Sequence, residues 1–291
     1  MGEEYLLKAQ GLTVSYYRQG QEIVALDNVG FAIGAGEIIG LFGPNGAGKT
    51  TLLKCLSGLV MPRKGIILWK QKEARETQRR LGVLLEGSRA FYWNLTGSEN
   101  ARYFAALKGL PANSRTQAHL DLLFELLDLG AVRHQLAGTY STGMKKRLSL
   151  LIALLGEPRL LLLDEPTQGL DHASAETLKK YLRRIANLGT SILCATHDLP
   201  FIFDLTSRIL YLENGHLRPW EWEAMTSTPV RLTFLLAGEE VSTQALPEQV
   251  VSLEYGRRQI SGSANDPAFY RLLQTLLDQH QLRVIYVYET A

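Results

Sequence analysis

Apolar and polar positions change their period several times along the chain, and each change predicts an element. Short β-prone runs at Leu12 to Tyr17 and Ile23 to Ile33 are broken by Gly20, Gly30 and the turn Gly34-Ala35-Gly36, which predicts strands at the edge of a sheet. Glu37 to Phe42 is short and apolar, and Thr51 to Leu56 carries helical spacing directly after a glycine-rich run, so the order there is strand, glycine loop, helix. Leu81 to Leu85 predicts a further strand ending at Glu86. From about 88 to 155 the pattern is helical, with amphipathic helices expected at Asn100 to Leu110 and Thr116 to Leu129. The unbroken leucines from Leu160 to Leu163, closing on Asp164, mark a buried strand; a helix follows at about Ala173 to Leu188, then a strand at Ser191 to Ala195. Alternation of this kind implies a parallel sheet. Asn214-Gly215, set between apolar residues within Arg208 to Leu217, predicts a hairpin because both central turn positions need positive φ.

Beyond Trp220 and Trp222 the pattern shifts to strands near Val230 to Leu236, Val250 to Tyr255, Arg258 to Ser261 and Arg283 to Tyr288, with a helix at Pro267 to Gln279. Tyr255, Phe269, Tyr270, Tyr286 and Tyr288 are its expected small core. The expected organisation is an α/β domain over 1–225, with a helical subdomain at about 88–155, and a small α+β accessory domain over 226–291. The length of 291 residues agrees with a prior of roughly two domains.

Composition narrows the function classes. The 31 Lys and Arg nearly balance 29 Asp and Glu, for a net charge of +2, which predicts no basic stripe for holding a duplex, so no nucleic-acid partner is expected. The longest apolar candidates, Leu148 to Gly156 and Leu160 to Leu163, are interrupted by Glu157, Pro158 and Arg159, too short for a membrane span. The acidic start Met1-Gly2-Glu3-Glu4 does not read as a secretory signal. Cys55 and Cys194, far apart and without a CxxC motif, read as small core residues in a reducing compartment. His119, His134, His172 and His216 lack metal-ligand spacing and read as surface or capping residues.

The chemistry concentrates in three places. Gly43-Pro44-Asn45-Gly46-Ala47-Gly48-Lys49-Thr50, followed by Thr51, matches GxxxxGK[ST]: glycines let backbone N–H groups turn toward phosphate oxygens, and the next helix points its positive end at them. Lys49 adds a mobile cation for the outer phosphates, and Thr50 a hydroxyl for Mg²⁺. Asp164-Glu165 falls at a strand's carboxyl end, where open α/β sheets bind ligands. Asp164 suits a Mg²⁺ role and Glu165 the polarisation of an attacking water, although Pro166 is equally suited to a first helical turn that favours acids. Phe91-Tyr92-Trp93 reads equally as an interface anchor or as core.

Taken in order, these motifs resemble the ATP-binding cassette ATPases over about residues 5 to 220. Gly43 to Thr50 resembles the family's Walker A loop, and Leu160 to Asp164 with Glu165 its Walker B strand and catalytic glutamate. Ser141-Thr142-Gly143-Met144 within Tyr140 to Arg147 resembles the signature motif, Gly169-Leu170-Asp171 the D-loop, and Thr196-His197-Asp198 the switch histidine. The resemblance implies the P-loop NTPase fold of the ABC ATPase core, a mixed sheet with a helical subdomain, and it places Tyr16, with Tyr17 as rival, where an aromatic residue stacks on adenine. It also implies a head-to-tail homodimer with ATP between one protomer's phosphate loop and the other's signature segment. The bottom-up reading of Ser141 and Gly143 agrees, since a hydroxyl and amides at a helix start suit a γ-phosphate, while a plain helix cap remains the other reading.

Thr142 stands where glycine is usual, Met144 where glutamine is usual and Glu86 where glutamine is usual. The first two, with Leu95-Thr96 and Glu99-Asn100, resemble the ABC-2-type exporter group. Glu86 can ligate Mg²⁺ but cannot donate hydrogen bonds as an amide does. The resemblance thus implies an ATP-hydrolysing subunit, peripheral at the cytoplasmic face of the membrane, driving separate transmembrane permease subunits. Its catalytic residues would be Glu165, His197 and Lys49, its Mg²⁺ ligands Thr50, Glu86 and Asp164. The alternative is a soluble ABC-family ATPase acting on ribosomes or nucleic acid without a membrane partner. The transported substrate is not readable from these residues.

Overall fold

The computed structural model describes residues 5–18, 20–70, 81–85, 91–206, 208–219, 231–237, 250–252, 257–263 and 283–290. The chain divides into two compact units, Met1–Arg218 and Pro219–Ala291.

In the first unit, β1 (Tyr5–Arg18) and β2 (Gln21–Gly34) are antiparallel, and β4 (Lys64–Trp69) pairs with the other side of β1. These strands form a three-stranded sheet of their own, in which β2 is an edge strand, as expected, and β1 is central. The main sheet has the order β5 (Leu81–Leu84), β6 (Leu160–Asp164), β7 (Ser191–Thr196), β3 (Ile38–Phe42), β8 (Ile209–Glu213), β9 (His216–Pro219). Both partners of β1 run antiparallel to it, whereas β5, β6, β7, β3 and β8 of the main sheet pair in parallel. Strands β6 and β7 are buried at every residue, as continuous apolar runs in a sheet covered on both faces must be. Between β8 and β9, Asn214 and Gly215 have φ of 49° and 78°, the two positive values of the expected hairpin turn.

Helix α1 (Lys49–Leu56) touches β2, β6 and β7 and so lies between the two sheets. Leu52, Leu53 and Leu56 join Leu7, Leu12, Leu26, Ile33, Leu41, Leu160 and Leu193 in one core. Cys55 is part of it; burial pushes its thiol up to about 11, and Cys194 is likewise buried and raised. Both are free, as expected of small core residues.

The helical stretch comprises α2 (Gly97–Leu107), α3 (Ser114–Leu126) and α4 (Thr142–Leu154). Each start is capped in the way its sequence allows. Thr96 and Glu99 form a reciprocal capping box on α2, Asn113 accepts from Thr116 N on α3, and Ser141 accepts from Met144 N on α4. The far end of α4 is closed by Lys108, whose Nζ donates to the carbonyls of Ala153 (3.2 Å) and Leu155 (2.8 Å).

Burial pushes the Lys108 amine down to about 8 from its ordinary 10.5. The folded chain therefore loses this proton before the unfolded chain does. Between pH 8 and 10.5 the unfolded state binds more protons, and stability from this group rises with pH. Chemical denaturation of the wild type and Lys108→Met across that window is expected to show the upward contribution in the first and its absence in the second.

His119 corrects the expectation of a surface residue: its side chain is only 18% exposed, its Nδ1 lies 3.9 Å from Glu157, and its Nε2 is buried. His134, His172 and His216 are exposed. Helices α5 (His172–Asn187) and α6 (Leu199–Leu205) precede and follow β7 in the chain and both pack against it.

The second unit contains an antiparallel sheet in the order β11 (Val250–Ser252), β12 (Arg257–Ser263), β10 (Arg231–Ala237), β13 (Arg283–Thr290). Tyr286 and Tyr288 stand opposite Leu235 and Thr233. The helix expected at 267–279, with Tyr255, Phe269 and Tyr270, lies outside the described residues.

Candidate functional site

Parallel pairing brings three loops to one edge of the main sheet. Phe42 stands beside Thr196, and Asp164 beside Ala195, so the carboxyl ends of β3, β6 and β7 deliver the glycine loop, the acidic pair and His197 to the same place. Two glycines are there by necessity. A Cβ on Gly43 would collide with the Leu212 carbonyl of β8, and Gly48 has a φ of 107° with the Ala25 carbonyl against its missing side chain. Any other residue at either position would displace the loop from the sheet.

Lys49 is 6% exposed and folds back over its own loop, donating to Gly43 O (2.6 Å) and Pro44 O (3.2 Å). Its Nζ is 3.7 Å from Glu165 Oε1. One residue on, Thr50 Oγ1 donates to Asp164 Oδ2 at 2.8 Å, across 114 residues of sequence. A hydroxyl and a carboxylate held together are hard oxygen donors of the kind Mg²⁺ selects, so this pair fits that ion.

Glu165 is buried and left-handed, with φ of 46°, immediately before Pro166. A residue in that region costs about 1–3 kcal/mol, and the following proline also restricts it. The conformation is over-determined from several sides: Glu165 N donates to Ala195 O (2.9 Å), Lys146 Nζ donates to Glu165 O (3.4 Å), and Oε2 accepts from Thr196 Oγ1 (3.0 Å) and His197 N (3.4 Å). Its other oxygen, Oε1, lies 2.9 Å from His197 Nδ1. The carboxylate is thus aimed at the mouth of the glycine loop, while His197, 57% exposed, covers it from outside. Residues 166–169 form a turn and α5 starts only at His172, so the acidic pair is not a helix start.

The other expected residues are distributed around this centre. Tyr16 lies on β1 opposite Ile23, and both Tyr16 and Tyr17 are exposed. Ser141 caps α4, so the capping reading of that segment is observed, and Gly143 packs so near Ser174 that a Cβ would stand 3.2 Å from its Oγ. Asp171 caps α5 by accepting from Ser174 N at 2.7 Å, and that bond holds its carboxyl below the usual range. Glu86 lies outside the described residues. Tyr92 and Trp93 are surface residues; Tyr92 packs edge-on against Tyr103 (5.1 Å) and Lys145 Nζ sits 5.4 Å over the Trp93 ring. Asn100, fully buried, fixes this loop by donating to the carbonyls of Tyr92, Leu95 and Thr96 and accepting from Tyr92 N. In the sequence Asn100 marks the start of an expected amphipathic helix and part of the exporter-group resemblance; its role in fixing this loop comes from contacts with the segment before the helix.

The ABC transporter family model matches residues 26–168. The fluoroquinolones export ATP-binding protein of Mycobacterium tuberculosis is 31% identical over 275 residues, covering 92% of this chain and 86% of that protein. This chain belongs to the ABC transporter ATP-binding proteins. The ABC transporter ATP-binding protein YdbJ of Bacillus subtilis is 36% identical over 198 residues, which is 66% of this chain and 63% of YdbJ's own length. The fold agrees: a solved dimeric bacterial ABC transporter cassette has a TM-score of 0.65 at 24% identity, covering 74% of this chain and 99% of that one. The chain is therefore an ABC-class ATPase with the P-loop core that its motifs resemble. Among the described residues no helix is long and apolar enough to cross a membrane.

Proposed function

We propose that this chain is the ATP-hydrolysing subunit of a multi-component ABC exporter, working as a homodimer on separate transmembrane subunits from the cytoplasmic face of the membrane. The observation that carries the catalytic part is the buried Glu165 carboxylate, pinned by Thr196 and His197 and facing Lys49 across 3.7 Å. The export assignment rests on relatives such as the mycobacterial fluoroquinolones exporter and on the variant signature at Thr142 and Met144.

In this reading the backbone N–H groups of 43–51 and the start of α1 cradle the phosphates, and Tyr16 stacks on adenine. Lys49 leaves its loop carbonyls for the outer phosphates, where it offsets the charge that gathers in the transition state. Thr50 and Asp164 would hold Mg²⁺, which supplies Lewis-acid neutralisation of the phosphate oxygens when bound. Glu165 takes the proton of the attacking water, and His197, beside it, steadies the γ-phosphate side of the site. Ser141, Thr142, Gly143, Met144 and Asp171 serve the nucleotide of the partner protomer. The exposed Tyr92 and Trp93 form the surface for the membrane partner.

The test is affinity purification of Glu165→Gln protein with ATP from detergent-solubilised membranes of the native cell. A polytopic membrane protein is expected to copurify, and Trp93→Ala is expected to reduce its recovery. Recovery of ribosomes or nucleic acid instead would overturn the exporter reading in favour of a soluble ATPase.

A further inference from the structure

Helix α4, which begins at the signature segment, meets α5, which begins at Asp171, along two rungs. At the first, Gly143 packs on Ser174, and Thr142 Cγ2 lies 3.8 Å from the position of a Cβ on Gly169. The second is one turn further along α4 and two along α5, on the same face of each helix, where Arg147 reaches Tyr181. Arg147 Nη1 donates to Leu127 O and Asp128 O, each at 3.2 Å, and lies 3.5 Å from the Tyr181 hydroxyl. That hydroxyl donates to Asp128 Oδ2 at 2.5 Å.

Asp128 can receive it because the chain leaves α3 in the left-handed region there, φ 50°, which turns the carboxylate toward α5. Tyr181 is 7% exposed while Asp128 stands at the surface, so the hydroxyl meets the carboxylate at the edge of the core in a part-buried, charge-assisted hydrogen bond. Three elements that are distant in sequence thus converge on one part-buried cluster. None of its members touches the glycine loop or Glu165.

We propose that Tyr181 and Asp128 are positioning residues that, with Arg147, lock the signature helix to the helix carrying Asp171, so that Ser141 to Gly143 and Asp171 approach the partner protomer's nucleotide as one body. This rests on the reading that those segments act on the partner's nucleotide. Loss of the lock leaves each protomer's own phosphate loop intact but lets the two presenting segments move independently. ATP binding to a single protomer should survive, and closure of the dimer should not.

The test uses the full chain in the Glu165→Gln background, which removes turnover. Tyr181→Phe deletes one hydroxyl and keeps the ring. Sizing by light scattering against ATP concentration is expected to show the half-point of dimer formation rising about tenfold, the worth of one hydrogen bond to a charged group. Affinity of the monomer for a fluorescent ATP analogue is expected to stay at the parent's value, while the melting temperature falls by a few degrees at most, as for any lost native hydrogen bond. Asp128→Asn should give the same shift, and the double variant no further shift, because both changes open one lock. A parent that dimerises beside variants of identical ATP dependence overturns the lock alone. Equal losses in monomer affinity and in dimerisation also overturn it, by showing a merely structural role. A parent that stays monomeric at every ATP concentration overturns the lock together with the reading beneath it.

Discussion

Replacing Glu165 by Gln should leave ATP bound and lower its turnover by about 10²–10⁴-fold, the range for loss of a positioned general base. The substitution keeps the shape of the side chain and an oxygen for the Thr196 hydroxyl, which now donates to Oε2 at 3.0 Å. The left-handed backbone at Glu165 is held by main-chain bonds that the variant retains, from Glu165 N to Ala195 O and from Lys146 to Glu165 O. What is lost is the carboxylate charge, and with it the basic lone pair and the ion pair to Lys49 at 3.7 Å. Steady-state phosphate release and equilibrium nucleotide binding, measured on the same preparation, separate the two effects. Weakened binding together with slowed turnover would indicate that Glu165 builds the pocket rather than acting on water.

Lys49→Ala has the opposite signature, with affinity lost first. A charged hydrogen bond contributes about 1.5–3 kcal/mol, so nucleotide affinity should fall about 10- to 100-fold. Lys49 is held by Gly43 O and Pro44 O, so part of its interaction with phosphate offsets the loss of those bonds. The alanine variant also leaves the buried Glu165 carboxylate without the cation that stands 3.7 Å from its Oε1. Titration with a fluorescent nucleotide is the direct measurement, and an unchanged affinity would refute the phosphate-loop assignment.

What was legible in the sequence had a local cause. Leu160 to Leu163 announced β6 because a strand buried on both faces must be apolar throughout, and Asn214-Gly215 announced its hairpin because that turn requires positive φ twice. The start of α5 was legible within a residue, since Asp171 is a strong cap. By contrast, β4 was not anticipated: it opens with Lys64-Gly65, leaves Ile66 and Leu68 exposed, and owes its conformation to pairing with β1 more than 50 positions away. The separation of β1, β2 and β4 into their own sheet was hidden for the same reason, because pairing partners are long-range facts. Helix α6 was missed because seven residues are too few for a period to show.

The candidate site divides along the same line. Glycines, Lys49, Thr50, Asp164 and Glu165 announce themselves by type and spacing, since phosphate chemistry needs those groups in that order. The bonds that aim them, from Thr50 to Asp164 and from Thr196 and His197 to Glu165, join residues from separate strands and become visible only when the parallel register is known. The Tyr181 to Asp128 contact joins positions 53 apart through a left-handed residue that no local pattern marks.

The central claim is that Glu165 acts in a nucleotide site closed by a second protomer. Purified Glu165→Gln protein, incubated with ATP and Mg²⁺, sized by light scattering and then assayed for bound nucleotide, tests it most directly. A dimer retaining two unhydrolysed ATP molecules is the predicted result. A monomer with ATP bound, or a dimer that has converted its nucleotide to ADP at the wild-type rate, would contradict the account.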